Sequence, residues 1–104
     1  MFDITVDDVL NVYEQLKDRY ELVLTSTFAL DDGFAEDFPI IVGKAHGQIV
    51  YLYEYDEMFI LDVMDAERTK GTHYHPNDVE MAIADLSEFM EGRSDYELDP
   101  FPDA

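Results

Sequence analysis

At 104 residues and 12.0 kDa the chain has the size of one domain. It carries 25 acidic against 6 basic side chains, a formal charge of -19, yet 47% of its residues are hydrophobic, enough to build a core. That charge argues against nucleic-acid binding, no apolar run approaches the ~20 residues that span a membrane, and the lack of cysteine removes disulfides, thiol catalysis and cysteine-based zinc sites.

Thr5 suits a helix N-cap, with Asp8 three residues on as the second half of a capping box. Val6, Val9, Leu10, Tyr13, Leu16 and Tyr20 follow at helical spacing, which predicts a first helix from Val6 to about Arg19. Lys17 and Arg19 then fall in its last turn, where cations suit the dipole. From Glu21 the period changes to two and predicts a half-buried strand through Ala29. Residues Asp31 to Asp37 read as an acidic loop, and Phe38 to Ala45 as a second strand with Pro39 near its start. His46-Gly47 is a tight turn, Gln48 to Tyr55 a third strand, Asp56-Glu57 a turn, and Met58 to Met64 a fourth strand. Gly71 to His75 is either a short edge strand or an extended lead-in. Pro76 suits the first turn of a second helix, along which Val79, Ala82, Ile83, Leu86, Phe89 and Met90 form an apolar stripe. Gly92 ends it.

The expected class is α+β: an antiparallel meander of four strands, or five, flanked by an N-terminal and a C-terminal helix. Residues 1–92 form the expected globular domain, and 93–104 an acidic tail in which Tyr96, Leu98 and Phe101 are the side chains able to dock. Helix, three-stranded meander and helix resembles the element order of a double-stranded-RNA-binding domain. Here no basic loop or basic final helix accompanies it, so the resemblance is one of topology.

Two-residue turns at 46–47 and 56–57 would set Ala45 against Gln48, Val42 against Tyr51, Tyr53 against Ile60 and Tyr51 against Asp62. One sheet face then carries Phe38, Ile40, Val42, Ile49, Tyr51, Tyr53, Tyr55, Met58, Ile60 and Met64. The other carries Ile41, Val50, Leu52, Phe59, Leu61 and Val63. A solvated antiparallel face is mostly polar, and neither of these is. If both helices lie on one side, the opposite face is an apolar patch of the kind that marks interfaces.

The charge is uneven. Residues 76–104 hold nine acids and one base, and residues 21–37 hold five acids and no base. Glu80, Asp85, Glu88 and Glu91 lie opposite the apolar stripe of the second helix. Glu88 and Glu91 oppose the dipole at its C-terminus and repel one another. This surface, supported by Asp31, Asp32, Glu36 and Asp37, is the candidate partner-binding site for a basic protein, in the manner of an inhibitor or a nucleic-acid mimic.

His73 and His75 project to one side of an extended segment and form the candidate metal pair, with Asp78 as a third ligand; otherwise His75 caps the second helix. No cofactor is implied beyond a divalent metal at that pair. The acidic loop lacks the spacing of a calcium loop, and no phosphate loop or nucleophile motif is present, so no catalytic residue is singled out. Asp62 interrupts an apolar run. If buried its pKa rises unless Tyr51 or Arg68 satisfies it. The leading functional reading is an acidic protein-interaction module. The alternatives are a homodimer joined through the sheet face and a metal-dependent enzyme or sensor using His73 and His75. With no basic segment preceding an apolar one, the expected location is cytoplasmic.

Overall fold

The first helix, α1, spans Val6–Leu16 and begins on a complete capping box. The Thr5 hydroxyl accepts from the Asp8 N–H, and the Asp8 carboxylate accepts from the Thr5 N–H at 2.9 Å, so two orphan amides are satisfied together. The helix is shorter than its periodicity predicts. The N–H groups of Arg19 and Tyr20 both reach the Leu16 carbonyl, so the chain leaves the helix in a tightened turn, and Lys17 becomes the C-cap. The computed structural model describes residues 3–29, 35–93 and 95–100, with the backbone alone for 26–29 and 35–38.

Strands β1 (Val23–Ala29), β2 (Ala35–Ala45), β3 (Gln48–Tyr55), β4 (Met58–Asp65) and β5 (Lys70–Tyr74) follow, then α2 (Val79–Glu91) and a two-residue β6 (Asp99–Pro100). All six strands form one antiparallel meander in chain order. The α+β class and the two flanking helices are as the sequence predicts, and β6 is an addition to it. Val42 opposes Tyr51, Tyr53 opposes Ile60 and Tyr51 opposes Asp62, the predicted register. Both hairpins turn on two residues with positive φ, His46 and Gly47 in one, Asp56 and Glu57 in the other. That is the backbone twist which suits a right-handed hairpin.

The sequence places Ala35, Glu36 and Asp37 in a loop, but they belong to β2. Thr27 opposes Asp37 and Phe28 opposes Glu36. Pairing with β1 satisfies backbone groups that Asp and Glu, poor strand formers, do not advertise. Between Thr25 and Thr27 the register shifts, so the Ser26 backbone stands opposite both Phe38 and Pro39. This bulge accommodates a proline that has no N–H for the ladder. The expected positions Asp31, Asp32 and Phe101 lie outside the described residues.

Helix α2 starts later than Pro76 suggests. Asp78 is its N-cap, accepting from the Met81 N–H at 2.8 Å, and a carboxylate caps better than His75 could. Both helices pack on the same side of the sheet and on each other. Val9, Val12 and Leu16 of α1 and Ala82, Leu86 and Phe89 of α2 enclose Ile41, Val50, Leu52, Phe59, Leu61 and Val63. Gly43 allows the close approach, since a Cβ there would stand 2.9 Å from the Met90 sulfur and 3.1 Å from Leu22. Beyond Gly92 the chain folds back. Tyr96 is buried between Phe89 and Tyr74, with ring centroids 6.0 and 5.9 Å away, and Leu98 packs beside it, which carries β6 onto the edge of β5. Among the described residues no helix is long and apolar enough to cross a membrane.

The Asp56-Glu57 turn holds two side-chain-bearing residues at φ 53° and 63°. Substituting Glu57→Gly removes a steric cost of about 1 kcal/mol. The variant's urea midpoint is expected to rise with an unchanged m-value; an unchanged midpoint would show that the turn carries no such cost.

Candidate functional site

The C-terminal end of α2 gathers negative charge around a shallow, open depression lined by Ser87, Glu88, Glu91, Gly92, Arg93 and Asp95. At ~100° per residue the carboxylates of Glu80, Asp85, Glu88 and Glu91 spread over roughly 140° of the outward side. Glu80, Glu88 and Glu91 are exposed, and Asp85 sits at the margin, half-buried. Burial and the neighbouring Glu88 push the Asp85 carboxyl above its ordinary range, against a smaller opposing pull from Arg93. The helix end itself carries about half a negative charge, and no basic side chain lies in the last turn.

Two groups from this chain partly offset that charge. The Tyr20 hydroxyl donates to Glu91 Oε2 and ties the end of α2 to the segment after α1. Arg93 reaches back to Glu88 at 3.1 Å and forward to Asp95 at 3.0 Å, with its guanidinium 4.6 Å from the Tyr96 ring centre. Both ion pairs are exposed, and pairs of that kind contribute under about 1 kcal/mol each. They are therefore cheap to exchange for the cation of a partner. Asp95, Arg93 and Tyr20 join the site although sequence reasoning assigned none of them to it. The one available signal was Gly92, which lets the chain double back on the helix end with φ 143°.

A second cluster lies on the helix-free face. The Tyr53 hydroxyl donates to Asp62 Oδ2 at 2.8 Å. The cross-strand partner Tyr51 is instead engaged by Arg68, whose Nε and Nη2 donate to its hydroxyl oxygen at 3.2 and 2.9 Å. The register expected for Asp62 holds, but its hydrogen bond runs diagonally to Tyr53 rather than to Tyr51 or Arg68. Burial raises the Asp62 pKa, while Tyr53, His73 and His75 pull it down. Burial, followed by Asp62, pushes the Tyr53 phenol up. His73 opposes Asp62 across the β4–β5 ladder, and its ring meets His75 edge-on with centroids 5.2 Å apart. His75 Nδ1 lies 3.2 Å from the Phe59 carbonyl oxygen. Asp78, the third ligand expected from the sequence, is committed to the α2 cap. Among the described residues no group of three or more His, Cys, Asp or Glu side chains is placed to hold a metal ion.

Glu36 and Asp37 stand on β2 opposite β1 rather than in a loop. No family model, curated protein or solved structure matches the chain.

Asp62 binds its proton more tightly in the folded chain than in the unfolded one, because its pKa is raised. Its folded-state contribution therefore worsens as pH rises from 3.8 through the raised value, and stays lower above it. The Asp62→Asn variant lacks that slope and keeps an acceptor for Tyr53. Its stability relative to the wild type is expected to improve between pH 3.8 and neutrality in parallel urea titrations; a relative stability that falls over that range would mean that Tyr53 and the two histidines outweigh burial.

Proposed function

We propose that this protein is an interaction module that captures a basic protein partner at the C-terminal end of α2. The observation that supports this reading is the depression at that end, where Glu88, Glu91 and Asp95 converge with the negative pole of the helix. The charge is arranged at some expense to the free protein. Asp85 and Glu88 repel, and neither Glu88 nor Glu91 suits the helix end on which it sits. A lysine or arginine side chain entering the depression relieves both effects at once. Glu80 and the rest of the -19 charge act at longer range and accelerate encounter.

A homodimer through the helix-free face would bring together two chains of -19 each, whereas a basic partner gains from the same charge. A metal-dependent activity at His73 and His75 would need a third ligand from outside the described residues.

The reading is tested with two immobilised baits, the wild type and the triple variant Glu88→Gln, Glu91→Gln, Asp95→Asn, exposed to lysate of the native host and eluted in steps of salt. A basic protein retained by the wild type is expected to leave at moderate salt and to associate about tenfold more slowly with the triple variant. Equal capture of the same proteins by both baits would overturn the assignment to this end of α2.

A further inference from the structure

The other end of the molecule's charge distribution is unusual. Of six basic residues, Lys17 pairs with Glu14, and Arg93 with Glu88 and Asp95. Lys44 and Arg68, like Arg19 and Lys70, form no ion pair among the described residues, in a chain with 25 carboxylates. Lys44 and Arg68 line one hollow of about 380 Å³, together with His46, Gln48, Ile49 and the backbone of the β2–β3 turn. Two acids stand close to Arg68 in sequence, Asp65 and the adjacent Glu67, and Asp65 is committed elsewhere. Its carboxylate accepts from the Thr69 N–H, the Thr69 hydroxyl and the Lys70 N–H at 2.7–3.0 Å, which hold its pKa below the ordinary range. Glu67 is exposed in the same connection.

Arg68 is held in place by a hydrogen-bond partner. Tyr51 takes one edge of the Arg68 guanidinium, the Nε/Nη2 side. The Nη1/Nη2 end remains available as a second two-pronged donor, the geometry that matches a carboxylate or phosphate. The two loops that form the walls are fastened to each other, since the Ala66 N–H donates to the Gly47 carbonyl at 3.1 Å. Arg68 itself sits at φ 59°, a left-handed conformation uncommon for a long side chain.

We propose that this hollow, between the β2–β3 turn and the β4–β5 connection, binds the oxyanion group of a small molecule, a carboxylate or a phosphate. Arg68 grips the group end-on, Lys44 neutralises it and the His46 ring N–H adds a third donor. This site is independent of the acidic end of α2. It gives the protein a place to sense a small anion with a set of residues that its composition otherwise lacks.

The test is an amide NMR titration of the full chain with inorganic phosphate and, separately, with acetate, each replacing sodium chloride at constant ionic strength. Saturable shifts confined to residues 44–49 and 66–68 are expected, with a dissociation constant on the order of 1–10 mM for so small a probe. Arg68→Lys keeps the charge but loses the planar fork, and is expected to weaken binding about tenfold while preserving the spectrum elsewhere. Tyr51→Phe frees the guanidinium and should weaken binding with no change in charge. Phosphate binding alone assigns the site to phosphate monoesters, acetate alone to carboxylates, and both to oxyanions in general. No local shift beyond the chloride control, or shifts that survive Arg68→Lys unchanged, would overturn the proposal.

Discussion

The packing of both helices against one side of the sheet is the constraint from which the rest of the molecule follows. Ile41, Val50, Leu52, Phe59, Leu61 and Val63 need a cover, and α1 and α2 supply it jointly by lying side by side. Gly43 makes room for Met90 beneath α2. Because the helices adjoin, the end of α2 lies within reach of Tyr20 beyond α1, and the outward side of α2 is left to water. The returning tail then buries Tyr96 against Phe89, with its phenol pushed up to about 12 by that burial, and brings Arg93 and Asp95 to the helix end. The acidic surface is thus lined by one stretch of chain, Ser87 to Asp95, that doubles back at Gly92, and Tyr20 ties it to the segment after α1.

The same arrangement leaves a helix-free face with its own logic. Ile40 and Ile49 are buried there, at 1% and 4% exposure, while Tyr51, Tyr53, Met58, Ile60 and Met64 are half-buried. Polar groups on this face are matched in pairs, Tyr53 with Asp62 and Arg68 with Tyr51. Matching matters because a buried carboxylate without a donor is costly. The pairing also fixes the guanidinium that the anion proposal relies on. Charge in this protein is unevenly placed: carboxylates crowd the outer end of α2, while Lys44 and Arg68, two of the four cations without an ion pair among the described residues, line the place where the β2–β3 and β4–β5 loops meet.

Much of the sheet was legible in the sequence because local rules specify it. Alternating apolar residues separated by two-residue turns fix the β2–β3–β4 register, and a slip of one residue would have reversed the faces of a strand. The capping box at Thr5 and the stripe of α2 were equally local. What escaped depended on distant partners. The start of β2 is strand because β1 pairs with it, despite the poor strand propensity of Glu36 and Asp37. The two-residue β6 accompanies the docking of Tyr96 and Leu98 on the core. The acidic end of α2 was half visible: Glu88 and Glu91 stand on one helix, but Asp95 and Tyr20 reach them only through the tertiary fold. The cationic hollow was not visible at all, because residues 44–49 and 66–68 meet only across a hairpin.

The central claim is that the crowded end of α2 is a receptor for a basic side chain. It is tested most directly by following the Asp85 carboxyl and the backbone amides by NMR while a tetra-arginine peptide is added at physiological salt. The account predicts shifts centred on Ser87 to Asp95, together with a fall in the Asp85 titration midpoint as the bound cation offsets its repulsion from Glu88. Shifts spread evenly over exposed carboxylates such as Asp7 and Glu14, with the Asp85 midpoint unmoved, would contradict it.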